Sequence, residues 1–158
     1  MKFLPILAEF YVTNFARSLK FYIDTIGFKV EYQRNNPKFA FLSYNGSQIM
    51  IQELISGEKE KEKLEYPFGR GINFQIDCKS VQKVIDDLNR NKYQLKRGIK
   101  DSWYEAGNKS FGCREILVFD PDGYLLRFSE ELGEKNIGSK VRIKSLIELI
   151  ISWNFVSV

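Results

Sequence analysis

The 158-residue chain contains no histidine. Imidazole is the usual ligand of zinc, iron and nickel and the commonest general acid–base. Any chemistry here therefore falls to carboxylates, tyrosines, cysteines or lysines. Cysteine is scarce too: Cys78 and Cys113 are the only two, far apart and without metal-type spacing. Two reduced thiols in a cytoplasmic protein are the expected state. No run of ~20 apolar residues is present, which argues against a membrane span. The opening Met1 to Pro5 is too short for a targeting segment. The net charge of +4 comes from basic and acidic residues mixed along the chain. There is no basic stripe interleaved with aromatics, which argues against a nucleic-acid partner.

What is present suits one folded domain, with 44% hydrophobic and 15% aromatic residues. The most informative stretch runs from Arg114 to Phe128. Two strand-length apolar runs flank Asp120-Pro121-Asp122-Gly123, in which Pro presets φ and Gly accepts a positive one. Elsewhere the order of elements repeats. A strand over 3–12 precedes a helix from Asn14 to 26, with Leu19, Tyr22, Ile23 and Ile26 on one face and Gly27 as its stop. Strands follow at 28–33, 38–44 and 47–54, the last two joined by Asn45-Gly46. After a charged connector over 56–67 comes a strand at 72–77. A helix capped by Ser80 follows, with Val81, Val84, Ile85 and Leu88 on one face. Next are a short strand near 94–99, a long loop carrying Trp103 and Tyr104, and the final hairpin. Ser80 stands 66 positions after Asn14. The predicted fold is α+β: two tandem βαβββ modules (3–54 and 70–131) whose curved half-sheets surround a concave cleft. The domain is expected over 1–132, with 133–158 a partly apolar extension that reads as a terminal helix packing on the domain or on a partner subunit, the alternatives being a peripheral membrane contact and a disordered or non-native extension.

Three segments, in order, resemble the vicinal oxygen chelate superfamily of glyoxalases, extradiol dioxygenases and bleomycin resistance proteins. Tyr11 to Tyr22 with Ile26-Gly27-Phe28 is similar to the opening "V-x-D-x-x-R-S-L-x-F-Y … L-G-F", with Asn14 where Asp is usual. Gly69 to Asp77 matches the strand that opens the second module. Arg114 to Phe128 is similar to "G-R-E-F-x-x-x-D-P-D-G-Y-x-x-x-F". The resemblance implies four metal-binding side chains, usually His or Gln, Glu, His and Glu, on four concave strands. By pattern these positions fall near Leu7, on Glu53, near Gly71 and on Arg127. A guanidinium has no lone pair to offer a cation, and one carboxylate cannot hold zinc, which takes about four donors. No metal and no cofactor are therefore expected.

Period-two alternation puts Glu9, Tyr11, Glu53, Asn73, Gln75 and Arg127 on the concave side, while Ala8, Phe10, Val12, Ile72, Phe74, Ile76, Leu126 and Phe128 face the core. Ile49 and Ile51 share a face with Glu53. Trp103 and Tyr104 border the cleft by resemblance, either stacking on a ligand or simply packing. Glu53 and Arg127 are expected to pair with each other, to contact a ligand, or both, because a buried Arg must meet an acid. The function expected is that of the metal-free bleomycin-resistance subgroup: a homodimer that sequesters a drug or metabolite in its cleft. The alternatives are a lyase, isomerase or oxygenase with a displaced or metal-free site, and a regulatory module whose cleft is filled by side chains.

Overall fold

Asn14 and Ser80 each begin a helix because their short polar side chains satisfy a backbone donor that a helix start leaves unpaired. Asn14 Oδ1 accepts from Arg17 N at 3.0 Å, and Ser80 Oγ accepts from Lys83 N at 3.2 Å. The computed structural model describes residues 2–55 and 64–137. In it, α1 (Phe15–Lys20) continues as a π-helical turn over Phe21–Ile26 and stops at Gly27, whose φ is +92°. The second helix, α2, spans Val81–Arg90. Four strands accompany each helix: β1 (Ala8–Val12), β2 (Lys29–Asn35), β3 (Lys38–Tyr44) and β4 (Ser47–Glu53), then β5 (Asn73–Asp77), β6 (Leu95–Ala106), β7 (Lys109–Phe119) and β8 (Leu125–Asn136). They form two four-stranded sheets of matching order, β1-β4-β3-β2 and β5-β8-β7-β6. In each the first strand pairs parallel to the last and the other pairs are antiparallel. The α+β fold with two βαβββ modules is therefore as the residue pattern indicates.

The core lies between the sheets and the helices. Phe10, Val12, Ile49, Ile51, Leu126, Phe128, Val81, Val84 and Leu88 are all buried there. Phe10 stands at the seam between modules, 4.6 Å from the Phe74 ring and stacked on Tyr124 at 4.4 Å. Two expectations are corrected. Ile72 precedes β5 and is exposed, so it takes no part in the core face of Phe74 and Ile76. The segment around Trp103 and Tyr104 is strand, since β6 runs on to Ala106 and pairs with β7 across a tight turn. Gly107-Asn108 is the turn signal that a loop assignment overlooks; Gly107 has a φ of +66°. The extension expected from 133 begins as strand, since β8 runs on to Asn136 and pairs there with β7; the part of the connector over 56–63 and the part of the extension over 138–158 lie outside the described residues.

The turn between β7 and β8 ties the second module to the first. Asp122 is 2% exposed. Its Oδ1 accepts from Thr13 N, Thr13 Oγ1 and Arg17 Nη2, and its Oδ2 accepts from Ser18 Oγ at 2.8 Å. Asp120, also buried, accepts from Tyr22 Oη at 2.8 Å and from the backbone N–H of Asp122 and Tyr124. Tyr124 Oη meets the backbone of Tyr11, accepting from its N–H and donating to its C=O. Gly123 has a φ of +87°, and a Cβ there would lie 2.5 Å from Pro67 Cα, so only glycine fits this turn. The first module returns the contact more weakly: Asn45 Nδ2 donates to Asp77 O at 3.5 Å.

Two outcomes are expected from this clasp. Asp122→Ala strands four donors and should cost about 3–5 kcal/mol in urea unfolding, against about 1 kcal/mol for Ser80→Ala; equal losses would contradict the clasp. Burial, opposed by the hydrogen bond from Tyr22, pushes the Asp120 carboxyl up to about 6, above the ~3.9 of an unfolded chain. The fold therefore favours the protonated form. Its contribution is fully present below about pH 4 and is lost as pH rises through about 6. Asp120→Asn should gain stability relative to the natural chain between pH 4 and 7. A difference that stays flat across that range would contradict it.

Candidate functional site

Side chains in register across neighbouring strands share a face of the sheet. On the face of the second sheet turned away from its helix, one row runs Gln75, Arg127, Leu117 and Arg97 across β5, β8, β7 and β6. The next row runs Asp77, Ser129, Glu115 and Lys100. Glu115 is 3% exposed. It is held from the first row by two arginines: Arg127 Nη1 lies 3.1 Å from its Oε1 and Arg97 Nη2 lies 3.7 Å from its Oε2. The pair Arg127–Glu115 is a hydrogen-bonded ion pair; the Arg97 contact is too long for a hydrogen bond. A cavity of about 570 Å³ is lined by Gln75, Asp77, Cys78, Cys113, Ser129 and Glu131, together with Lys79, Gly112 and, from the first module, Asn45; it neighbours the cluster through Gln75 and Ser129 but is not walled by its arginines.

The two thiols at this cavity are poor nucleophiles and poor ligands. Burial pushes Cys78 up to about 11. Burial, and then the Glu115 charge, also raise Cys113 above its ordinary value. Thiolate character is what both nucleophilic and metal-binding chemistry require.

The corresponding face of the first sheet is already covered by the chain itself. Phe39 and Phe41 point there and are 2% and 0% exposed. Tyr32 stacks on both, at 5.6 and 5.5 Å, and Phe3 packs on Phe41 at 5.2 Å. Gln48 fastens the N-terminal segment across it, accepting from Leu4 N and donating to Lys2 O.

The residues expected at the site divide accordingly. Asn73, Gln75 and Arg127 come together on the concave side of the second sheet. Glu9 and Tyr11 are on the same side of β1, in register with Met50 and Gln52. Trp103 and Tyr104 lie in the outer part of β6. Trp103 packs on Gly112, whose added Cβ would lie 2.7 Å from the ring, and carries Lys135 Nζ at 3.5 Å from its centroid. Tyr104, on the opposite face by alternation, is exposed.

Glu53 is a correction. It is in register with Val12, on the helix side of the sheet. Its Oε1 accepts from Phe15 N, the first residue of α1, and its Oε2 pairs with Lys38 at 2.8 Å. Lys38 and then Phe15 N hold its carboxyl below the ordinary glutamate range. The second module repeats this device: Glu130 accepts from Val81 N, the first residue of α2. Glu53 is thus a helix anchor, and the acid that meets Arg127 is Glu115. In the first sheet the place equivalent to Arg127, paired with β1 as Arg127 is with β5, belongs to Met50. Arg97 and Glu115 are the residues that sequence reading missed. Glu115 could have been found, because it alternates with buried Ile116 and Val118 on the strand next to Arg127.

Leu7 and Gly71 precede β1 and β5, and the residues in register with Met50 and Arg127 are Glu9 and Gln75; one carboxylate, one amide, a thioether and a guanidinium fall short of the donor set a divalent cation takes. Among the described residues no three His, Cys, Asp or Glu side chains cluster as a metal site. The positions that would hold a metal on this fold do not fit one.

A family model matches residues 5–128: the Glyoxalase/Bleomycin resistance protein/Dioxygenase superfamily. The chain belongs to this superfamily. The uncharacterised protein YraH of Bacillus subtilis (strain 168) is 27% identical to it over 139 residues, covering 84% of this chain and 100% of YraH. The superfamily fold is shared with TioX from Micromonospora sp. ML1, at a TM-score of 0.60 and 18% identity over 80% of this chain and 98% of that one. It is shared too with FosX, a genomically encoded fosfomycin resistance protein from Listeria monocytogenes. There the TM-score is 0.55 and the identity 18%, over 82% of this chain and 94% of that one.

Glu53→Ala and Glu130→Ala should each cost about 1 kcal/mol in urea unfolding, the usual loss of a helix N-terminal acceptor. Glu115→Ala should cost about 3–5 kcal/mol, because it leaves two arginines without their acid. A Glu53→Ala protein as stable as the natural chain would contradict the anchoring role.

Proposed function

We propose that this protein is a metal-independent small-molecule binding protein of the bleomycin-resistance type. It acts in the cytoplasm as a homodimer that sequesters a drug or metabolite on the concave face of its second module. The observation that carries this reading is Arg127, a cation at the centre of that face, fastened to buried Glu115 at 3.1 Å. A fixed positive charge repels the divalent ion that the superfamily scaffold can carry elsewhere. The open cavity beside it supplies apolar and polar walls of the size small ligands use. Its thiols are held protonated, so covalent capture has no evident nucleophile there. Exposed Tyr104 and Phe111 on the outer β6–β7 hairpin support a second copy as partner. No helix of the described residues is long and apolar enough to cross a membrane.

Protein purified without chelator should carry well under one equivalent of Mn, Fe, Ni or Zn by inductively coupled plasma mass spectrometry. EDTA should leave its melting midpoint unchanged. One bound equivalent of any of these metals, lost to EDTA with a fall in the midpoint, would overturn the reading.

A further inference from the structure

Three guanidinium nitrogens on the second sheet are closed off from solvent and have no hydrogen-bond partner among the described residues: Arg97 Nε, Arg97 Nη2 and Arg127 Nε. A shielded charged donor without an acceptor is expensive, and native proteins rarely keep one without a use for it. The pattern of open donors is specific. Nε and Nη2 form one edge of a guanidinium, two parallel N–H groups spaced to meet the two oxygens of a carboxylate. Arg114, on the adjacent strand, shows that edge filled: its Nε and Nη2 each lie 2.8 Å from an oxygen of Asp101. In Arg97 the same edge makes no hydrogen bond: Nη2 has only its 3.7 Å ion-pair contact with Glu115, and Nε has no partner among the described residues.

The charge balance points the same way. Glu115 supplies one negative charge to two arginines, so the cluster keeps one positive charge unmatched. In the neighbouring row Lys100 is offset by Asp77, and in the cavity wall Lys79 by Glu131, so the surplus of one positive charge remains. Both arginine side chains retain part of their surface in solvent, 37% for Arg97 and 29% for Arg127, while the three nitrogens themselves are shielded, so an anion reaches them only with a movement of the guanidinium groups. The cavity adjoins the cluster, because Gln75 in its wall is in register with Arg127, and Ser129 with Glu115.

We propose that the ligand of this cleft carries an anionic group, a carboxylate or phosphonate, received by the open edge of Arg97 together with Arg127 Nε. Glu115 is the positioning residue that fixes both guanidinium planes. This rests on the reading of the second-module face as a small-molecule site and adds the chemical class of the ligand. It also explains why an arginine pair occupies the floor of a cleft rather than a salt bridge with every donor matched.

The experiment is a thermal-shift and calorimetric titration of the natural chain with benzoate and phenylphosphonate, and with neutral benzamide and benzyl alcohol as controls. The anions should raise the melting midpoint in a concentration-dependent way while the neutral probes do not. Arg97→Met and Arg127→Met should each weaken anion binding tenfold or more, and Arg97→Lys should recover only part of it, because an ammonium lacks the two-pronged edge. Far-UV circular dichroism and urea midpoints establish that the variants fold; Lys83→Met, an equal charge change on the exposed side of α2, should bind as the natural chain does. Anion binding that survives both Arg→Met changes, or that Lys83→Met weakens equally, overturns the proposal. Neutral probes that bind in the cleft as tightly as the anions overturn it while leaving the binding-protein reading standing. If the Arg→Met variants instead change the oligomeric state by light scattering with no effect on anions, the acceptor belongs to a second copy of the chain and the proposal fails.

Discussion

The carboxylate of Asp122 is the contact on which the arrangement of this molecule depends. It leaves the second module and ends in the first, where Thr13, Arg17 and Ser18 donate to it. Two sheets of equal order share no ladder, so something other than backbone pairing must fix one against the other. Phe10 on Phe74 supplies apolar contact there, but apolar packing is weakly directional. The buried carboxylates supply the direction. Their donors are the residues that begin α1, so the position of the first helix, the end of β1 and the turn before β8 are set together. The motif residues that make the family recognisable are therefore also the ones that hold the modules in register.

The clasp fixes where β8 emerges, and β8 carries Arg127 a few residues later. From there the two modules diverge in use. Each anchors its helix with a glutamate, Glu53 or Glu130, and each presents a concave face. In the first module aromatic rings and the N-terminal segment cover that face. In the second it holds a buried acid between two arginines beside an open cavity. Duplication gives two equivalent surfaces, and side-chain replacement closes one and charges the other. A buried ion-pair cluster is poor evidence of stabilisation in itself, and three unmatched donors make it weaker still as a purely structural device.

Much of this was legible from residues alone. Helix caps, glycine stops and turn dipeptides act locally, so Asn14, Ser80, Gly27 and Asp120 to Gly123 disclosed the elements, and the repeat disclosed the fold. Alternation correctly sorted Asn73, Gln75 and Arg127 onto one face. It failed at Glu53 because a strand-end glutamate on the helix side looks the same in sequence as one on the concave side; its shared face with Ile49 and Ile51 was the clue. Ile72 failed for a related reason, since alternation says nothing about where a strand starts. The partner of Arg127 was missed because Glu115 is twelve residues away in sequence: alternation against Ile116 and Val118 puts it on the right face of β7, but strand pairing across the hairpin is what brings the two together. The outer hairpin was hidden because Trp103 and Tyr104 sit among polar residues without a continuous apolar face.

The claim that the arginine pair on this face receives an anionic ligand is tested most directly by observing the arginine side chains themselves. In a ¹H–¹⁵N spectrum of the guanidinium region, saturating phenylphosphonate should move the Nε–H signals of Arg97 and Arg127 downfield. It should leave that of Arg114, already bound to Asp101, in place. Signals that stay fixed, or that shift equally at all three arginines, would contradict the account.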